Sequence, residues 1–252
     1  MKRVVVKVGS AVLTQDGAIA LERMQSLVDF LVDLRKNHEV ILVSSGAVAG
    51  GYTKLKLDRN ILKNKQALAA IGQPVLMQKY ARKFAKHDIV CAQVLVTAAN
   101  LDKNDDIKRV KNTIDTLLQN GVIPIVNEND ATATDELELG DNDQLSAYIA
   151  KHTASDMLII LSDIDAYYDS DPRVNPHAKV LKVVDKIPHA ELQKDVTPNN
   201  VFATGGIVTK LKAASYLMAC GIDMFLASGF DLSDVKSYML QSVHNGGTRF
   251  KA

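Results

Sequence analysis

Two lysines stand out by the company they keep. Lys7 interrupts Val4-Val5-Val6 and Val8, a β-branched run with the composition of a strand buried on both faces of a parallel sheet. An ammonium there is costly unless something negative meets it. Gly9-Ser10 follows at once, where the chain must turn and a glycine lets a ligand approach the main chain. Lys210 closes Thr204-Gly205-Gly206-Ile207-Val208-Thr209-Lys210, a glycine pair opening a helix with the lysine one turn in. Free N–H groups and a positive dipole end make such a start a phosphate site. The lysine adds a mobile point charge. Each stretch also has a plainer reading. Lys7 can snorkel to water from a strand end, and Thr204 can be an ordinary N-cap.

Two acidic, amide-rich stretches accompany them. Gly140-Asp141-Asn142-Asp143 opens a predicted helix, where a cap needs one such residue and three are present. Asn127-Glu128-Asn129-Asp130 exceeds the needs of an Asx turn in the same way. Carboxylates can meet an amino acid's ammonium, while amides and N–H groups meet its carboxylate. Ser44-Ser45-Gly46 and Ser162-Asp163 also follow predicted strands. The carboxyl ends of parallel strands share one edge, where open α/β sheets bind ligands.

The chemistry that suits this set is phosphoryl transfer to a carboxylate. A Glu-type acceptor, with a pKa of about 4.3, is already ionised at neutral pH and needs no strong base. It needs positioning, and cations to spread the charge of the transferring group. Other chemistries lack their residues. The six histidines avoid all these loops, and no zinc-type Cys/His cluster or Gly-x-Ser-x-Gly elbow occurs. Neither a Walker A loop nor a Gly-x-Gly-x-x-Gly is present.

The elements that must position these residues alternate. Strands are predicted over 4–8, 39–44, 89–96, 122–126, 157–161, 180–184 and 222–226, with an edge strand over 246–252. Helices are predicted over 21–36, 60–71, 74–86, 105–119, 142–151 and 207–219. Pro74 falls at a favoured first-turn position, and 44–51 reads as a small-residue turn. The pattern predicts an α/β fold, a mostly parallel central sheet covered by helices on both faces. With 252 residues and 47% hydrophobic side chains, one domain with a sizeable core is expected. A net charge of +1 points to neither a nucleic-acid nor a membrane surface. Cys91 and Cys220 read as buried, reduced thiols. No signal peptide or membrane span is expected, which fits a cytosolic protein.

Taken together, the motifs resemble the amino-acid kinase family, and within it the glutamate 5-kinases, across essentially the whole chain. The residues that carry this are Val6 to Thr14, Val43 to Ala49, Val126 to Ala131, Gly140 to Ala147, Asp171-Pro172-Arg173 and Thr204 to Leu211. The resemblance implies a three-layer αβα sandwich over 1–252, with an acceptor lobe over about 1–150 and a nucleotide lobe over about 151–252. It implies ATP-dependent phosphorylation of the L-glutamate γ-carboxylate, the first step of proline synthesis, with Mg²⁺ carried on ATP. Lys7 and Lys210 would neutralise the transferring group, and Asp143 would orient them. Ser45, Asp130 and Asn142 would hold glutamate. Lys7, Ser162, Asp163, Thr204, Gly205, Gly206, Ile207, Val208, Thr209 and Lys210 would hold the nucleotide. Feedback inhibition by proline and a homodimer or homotetramer are further implications.

Two departures accompany the resemblance. Ser162-Asp163 stands where Thr-Asp is common, and the hydroxyl survives. Many members also carry a C-terminal RNA-binding-like PUA domain; this chain ends about where that domain would begin. Sister acceptors such as N-acetylglutamate, aspartate, carbamate or UMP are the nearest rivals. The acidic 127–130 loop argues against an acetylated amine, which has no positive charge to meet it. A non-catalytic sensor is the rival from another class, and it has no need of two phosphate-neutralising lysines.

Overall fold

The computed structural model describes residues 1–97, 100–101, 103–132, 142–194 and 206–252. Its elements in chain order are β1 (Lys2–Val8), α1 (Ser10–Leu13), β2 (Thr14–Gln15), β3 (Ala18–Ile19), α2 (Leu21–Arg35), β4 (His38–Ser44), α3 (Ala47–Tyr52) and α4 (Leu62–Phe84). Then come β5 (Cys91–Val96), α5 (Asn104–Gln119), β6 (Ile123–Glu128), α6 (Asn142–His152), β7 (Met157–Ser162), β8 (Val183–Val184), α7 (His189–Leu192), α8 (Ile207–Ala219), β9 (Asp223–Ser228), α9 (Ser233–Leu240) and β10 (Thr248–Phe250). Eight strands form one sheet in the order β5-β6-β4-β1-β7-β9-β10-β8. The pairs from β5 to β9 are parallel, and β10 runs antiparallel to β9.

The central place of β1 explains its composition. It pairs with β4 on one edge and β7 on the other, and a core lies against each of its faces. Alternation then sorts its residues. Val4, Val6 and Val8 join a core with α2 and α4 that includes Leu27, Leu31, Tyr80 and Phe84. Val5 joins the opposite core, with Leu145 and Ile149 of α6 and Leu211 and Leu217 of α8. Lys7 has the parity of Val5, so it is delivered to the α6 and α8 side.

Four expectations change. The two helices predicted around Pro74 are one, α4, with Pro74 inside it. An interior proline removes one helical hydrogen bond, a cost of about 3 kcal/mol. The buried stripe Leu68, Ala69, Gly72, Leu76, Tyr80 and Phe84 continues across it at helical spacing, and that burial outweighs the break. The small-residue turn ends at Gly46, whose φ of 108° is left-handed, and α3 begins at the next residue. Nor is β10 an edge strand. It lies between β9 and β8, held to β8 through Arg249 N–H on Lys182 O (2.8 Å) and Lys251 N–H on Val184 O (2.8 Å). The strand predicted over 180–184 keeps only its last two residues, because Leu181 N–H bonds Tyr167 O and Val180 bridges Tyr168 instead.

The small residues of α3 serve a helix crossing. A Cβ on Gly72 would lie 1.7 Å from Ala47 O and 2.3 Å from Gly51 N, and one on Gly51 would lie 1.9 Å from Leu68 O. Gly72→Ala therefore forces α3 off α4. The expected loss is about 3 kcal/mol, or roughly 6–12 °C in Tm for a domain of this size. A melt unchanged from wild type would contradict the crossing.

Cys91 and Cys220 are unpaired and half-buried rather than buried. Among the described residues, no helix is long and apolar enough to cross a membrane.

Candidate active site

The sheet reverses direction at β1. Of the later strands in this sheet, β4, β5 and β6 build one side, and β7, β9, β10 and β8 build the other. Such a switch point opens a crevice at the carboxyl ends of the strands. Lys7, one residue from the end of β1, stands at that crevice.

Three charged side chains meet there although they are far apart in sequence. Lys7 Nζ lies 2.5 Å from Asp143 Oδ1, and Lys210 Nζ lies 3.1 Å from Asp143 Oδ2. All three are buried, at 6%, 0% and 2% exposure for Lys7, Asp143 and Lys210. Asp143 comes from the first turn of α6 and Lys210 from the first turn of α8. The α6 carboxylate is fixed further by Thr209, whose hydroxyl donates to Asp143 Oδ2 (2.8 Å). Burial alone would raise the Asp143 pKa. The charges of Lys7 and Lys210, with hydrogen bonds from Lys7 and Thr209, instead hold it well below the usual carboxylate range. Two ammonium groups against one carboxylate leave an excess of one positive charge in a buried place. An anionic group is what such a place accommodates.

On the β4 and β6 side lies a cavity of about 180 Å³, lined by Gln73, Gln93, Glu128, Asn129 and Asp130 among others. Asn142 Nδ2 donates to Ser45 Oγ (2.7 Å) and to Asn127 Oδ1 (3.1 Å), tying the starts of α6 and α3 to the end of β6. Among the described residues, Asn142 Oδ1 is buried with no hydrogen-bond partner. A buried acceptor in that state is rare, and a ligand donor would satisfy it.

On the β7 side lies a larger cavity, about 390 Å³, lined by Asp163, Tyr167, Tyr168, Ile207 and Val208 together with the 169–173 turn. Ser162 Oγ donates to Asp163 Oδ1 (2.9 Å) and accepts from Ile164 N–H (3.3 Å). Gly206 caps α8, and its carbonyl accepts from Lys210 Nζ (3.4 Å) and Thr209 Oγ1 (3.0 Å). Thr209, expected at the nucleotide, thus turns its hydroxyl to Asp143 and its own helix start. Thr204 and Gly205 lie outside the described residues, as do Gly140 and Asp141.

Sequence reasoning passed over Gln73, Gln93, Tyr167 and Tyr168. The tyrosines sit just ahead of Asp171-Pro172-Arg173, which was a usable signal. Nothing in the spacing of the two glutamines marks them.

Comparison with known proteins decides the family. Residues 2–228 match the amino acid kinase family. The chain belongs to that family. Among relatives within it, the glutamate 5-kinase of Wolinella succinogenes is 51% identical over 99% of this chain and 98% of its own length. The glutamate 5-kinase of Leishmania donovani is 49% identical over 99% and 95%. The amino acid kinase fold is equally plain in solved structures. An isopentenyl phosphate kinase in its substrate complex superposes with a TM-score of 0.69 at 16% identity, covering all of both chains. Carbamate kinase from Giardia lamblia bound to AMP-PNP gives 0.70 at 17% identity over 99% of this chain and 98% of that one. At such identities the likeness speaks for the fold alone.

Proposed function

We propose that this chain transfers the γ-phosphoryl group of ATP to the γ-carboxylate of L-glutamate, forming γ-glutamyl phosphate and ADP, the opening reaction of proline biosynthesis. The observation that carries this is the buried Lys7–Asp143–Lys210 cluster at the crevice beside β1, in a chain 51% identical to a glutamate 5-kinase. The transfer is direct. A carboxylate oxygen attacks the γ-phosphorus, and the bond to the β–γ bridging oxygen breaks with its electron pair going to ADP. Lys7 and Lys210 spread the charge on the transferring oxygens, and Asp143 holds both ammonium groups in place before the reaction begins.

Glutamate binds on the β6 side. Asp130 and Asn142 Oδ1 take its α-ammonium, and Ser45 completes the site. The nucleotide binds on the β7 side, against Ser162, Asp163 and the 204–210 segment that opens α8. The helix N-terminus there suits phosphate oxygens. Among the described residues, no group of three or more His, Cys, Asp or Glu is arranged to hold a metal ion. Mg²⁺ enters with ATP, carried on its phosphates. Domain 1–252 divides into an acceptor lobe, about 1–150, and a nucleotide lobe, about 151–252. A cytoplasmic enzyme, inhibited by proline and assembled as a dimer or tetramer, completes the proposal.

Two measurements test it. ADP release is followed with glutamate, N-acetylglutamate, aspartate and UMP in parallel; glutamate alone supports turnover. Release with a different acceptor would overturn the substrate assignment. Asp130→Ala raises the glutamate KM by roughly 10- to 100-fold, the worth of a charged hydrogen bond, and leaves the ATP KM alone. An effect confined to ATP would contradict the division between the two sides.

A further inference from the structure

We propose that Gln73 is a positioning residue for the acceptor: it acts through Asn127 to hold the Asn142 amide with its carbonyl oxygen turned to the amino acid's ammonium. This rests on the glutamate site proposed above and extends it to the amides that stand behind Asn142.

The backbone N–H of Glu128 donates to Asn127 Oδ1 at 2.9 Å. Asn127 must therefore offer its Nδ2 on the other branch, and it does so to Gln73 Oε1 at 3.0 Å. Gln73 is then left with its Nε2, which donates to Gln93 Oε1 at 3.0 Å. In the other direction, an Asn127 oxygen can accept only from a donor. Asn142 consequently presents its Nδ2, at 3.1 Å. That nitrogen also donates to Ser45 Oγ. The one remaining polar atom of the Asn142 amide is Oδ1, the buried acceptor without a partner among the described residues. The Glu128 N–H thus sets the Asn127 amide, which orients Gln73 and Gln93 on one side and Asn142 on the other, and Gln73 in turn holds Asn127 where Asn142 meets it.

Burial gives this chain its force. Gln73 is 7% exposed and Asn127 2%. Water cannot readily replace a lost partner at such positions, and a half-satisfied buried network is worse than none. The scaffold is built for the contact. Gly72, next to Gln73, lets α4 lie directly on α3. Two turns further on, Tyr80 on the same helix face bonds Ser44 Oγ (2.8 Å), beside Ser45. Thus α4 reaches two strand-end loops that carry acceptor residues, Ser44-Ser45 after β4 and Asn127 to Asp130 at the end of β6.

The test is steady-state kinetics on the full chain with ATP and glutamate. Gln73→Met keeps the length of the side chain and removes both hydrogen bonds. It raises the glutamate KM roughly 5- to 30-fold, as loss of a buried hydrogen bond predicts, with kcat and the ATP KM unchanged. Asn142→Ala and the double variant separate positioning from general loosening. If Gln73 works through Asn142, the double variant is no worse than Asn142→Ala alone. A wild-type glutamate KM in Gln73→Met, or full additivity in the double variant, would overturn the proposal. Should Gln73→Met fail to fold, Gln73→Asn carries the test, since it adds no charge and its shorter side chain takes the amide out of reach of Asn127. Its glutamate KM then rises at least about fivefold, and a wild-type value counts against the role. Wild-type protein that ignores glutamate overturns the glutamate site itself, before any variant is compared.

Discussion

Replacing Lys210 by alanine lowers kcat by roughly a thousandfold and leaves the glutamate KM close to wild type. The size follows from where the ammonium stands. Lys210 is buried in the first turn of α8, with its charge already aimed by Asp143 and the Gly206 carbonyl. Nothing has to reorganise when charge shifts onto the oxygens of the transferring group. A cation so placed contributes more in the transition state than in the ground state, which is what moves kcat rather than KM. A thousandfold corresponds to about 4 kcal/mol of barrier. The site proposed for glutamate involves Ser45, Asp130 and Asn142 and is left unaltered by this substitution. An unchanged kcat would remove Lys210 from the chemistry; a purely KM effect would make it a binding group.

Asp143→Asn produces the second large effect, and it strikes stability and rate together. The substitution leaves two buried ammonium groups without their counter-charge. Breaking a buried pair in this way costs about 3–5 kcal/mol, roughly 6–20 °C in Tm. The rate falls with it, because both lysines lose the group that aims them. A compensating variant separates the two effects. Asp143→Asn combined with Lys210→Met restores the wild-type excess of one positive charge, so Tm recovers in part while kcat stays low. The pH dependence carries a sign as well. Asp143 has its pKa lowered in the folded state, so its stabilisation is fully present above the unfolded value of about 4 and is lost as pH falls below it. Wild-type protein therefore loses stability steeply in acid over that range, and Asp143→Asn less so. Equal acid profiles for the two would contradict the buried pairing.

The local half of the molecule could be read from sequence, and the crossings could not. Alternation in β1 was enough to make Lys7 an intruder in a buried strand, and the apolar spacing after Gly206 gave α8 its bounds. Asp16-Gly17 closes the β2–β3 hairpin with positive φ at both residues (51° and 73°), a signal open to the sequence but not used. Pro74 misled because local chemistry said stop, while a buried stripe formed only in the tertiary fold said continue. The β10 strand was placed at the edge because no pattern tells which strand lies outside it. In the site, the residue types were legible and their meeting was inferred only from shared strand ends and family resemblance. Lys7 and Asp143 are 136 positions apart, and Asp143 and Lys210 are 67 apart. Periodicity says nothing over such distances. The amide chain was out of reach for the same reason: Gln73 looks like any polar residue on a helix until α4 is laid against β6.

The most direct test of the whole account is the identity of the bond that is made. Wild-type protein is incubated with ATP, Mg²⁺ and L-glutamate in the presence of hydroxylamine, and ADP and hydroxamate are measured in the same tube. The account predicts γ-glutamyl hydroxamate in step with ADP, and neither product from Lys210→Ala on the same timescale. ADP without hydroxamate, or hydroxamate formed equally well by the Lys210 variant, would contradict it.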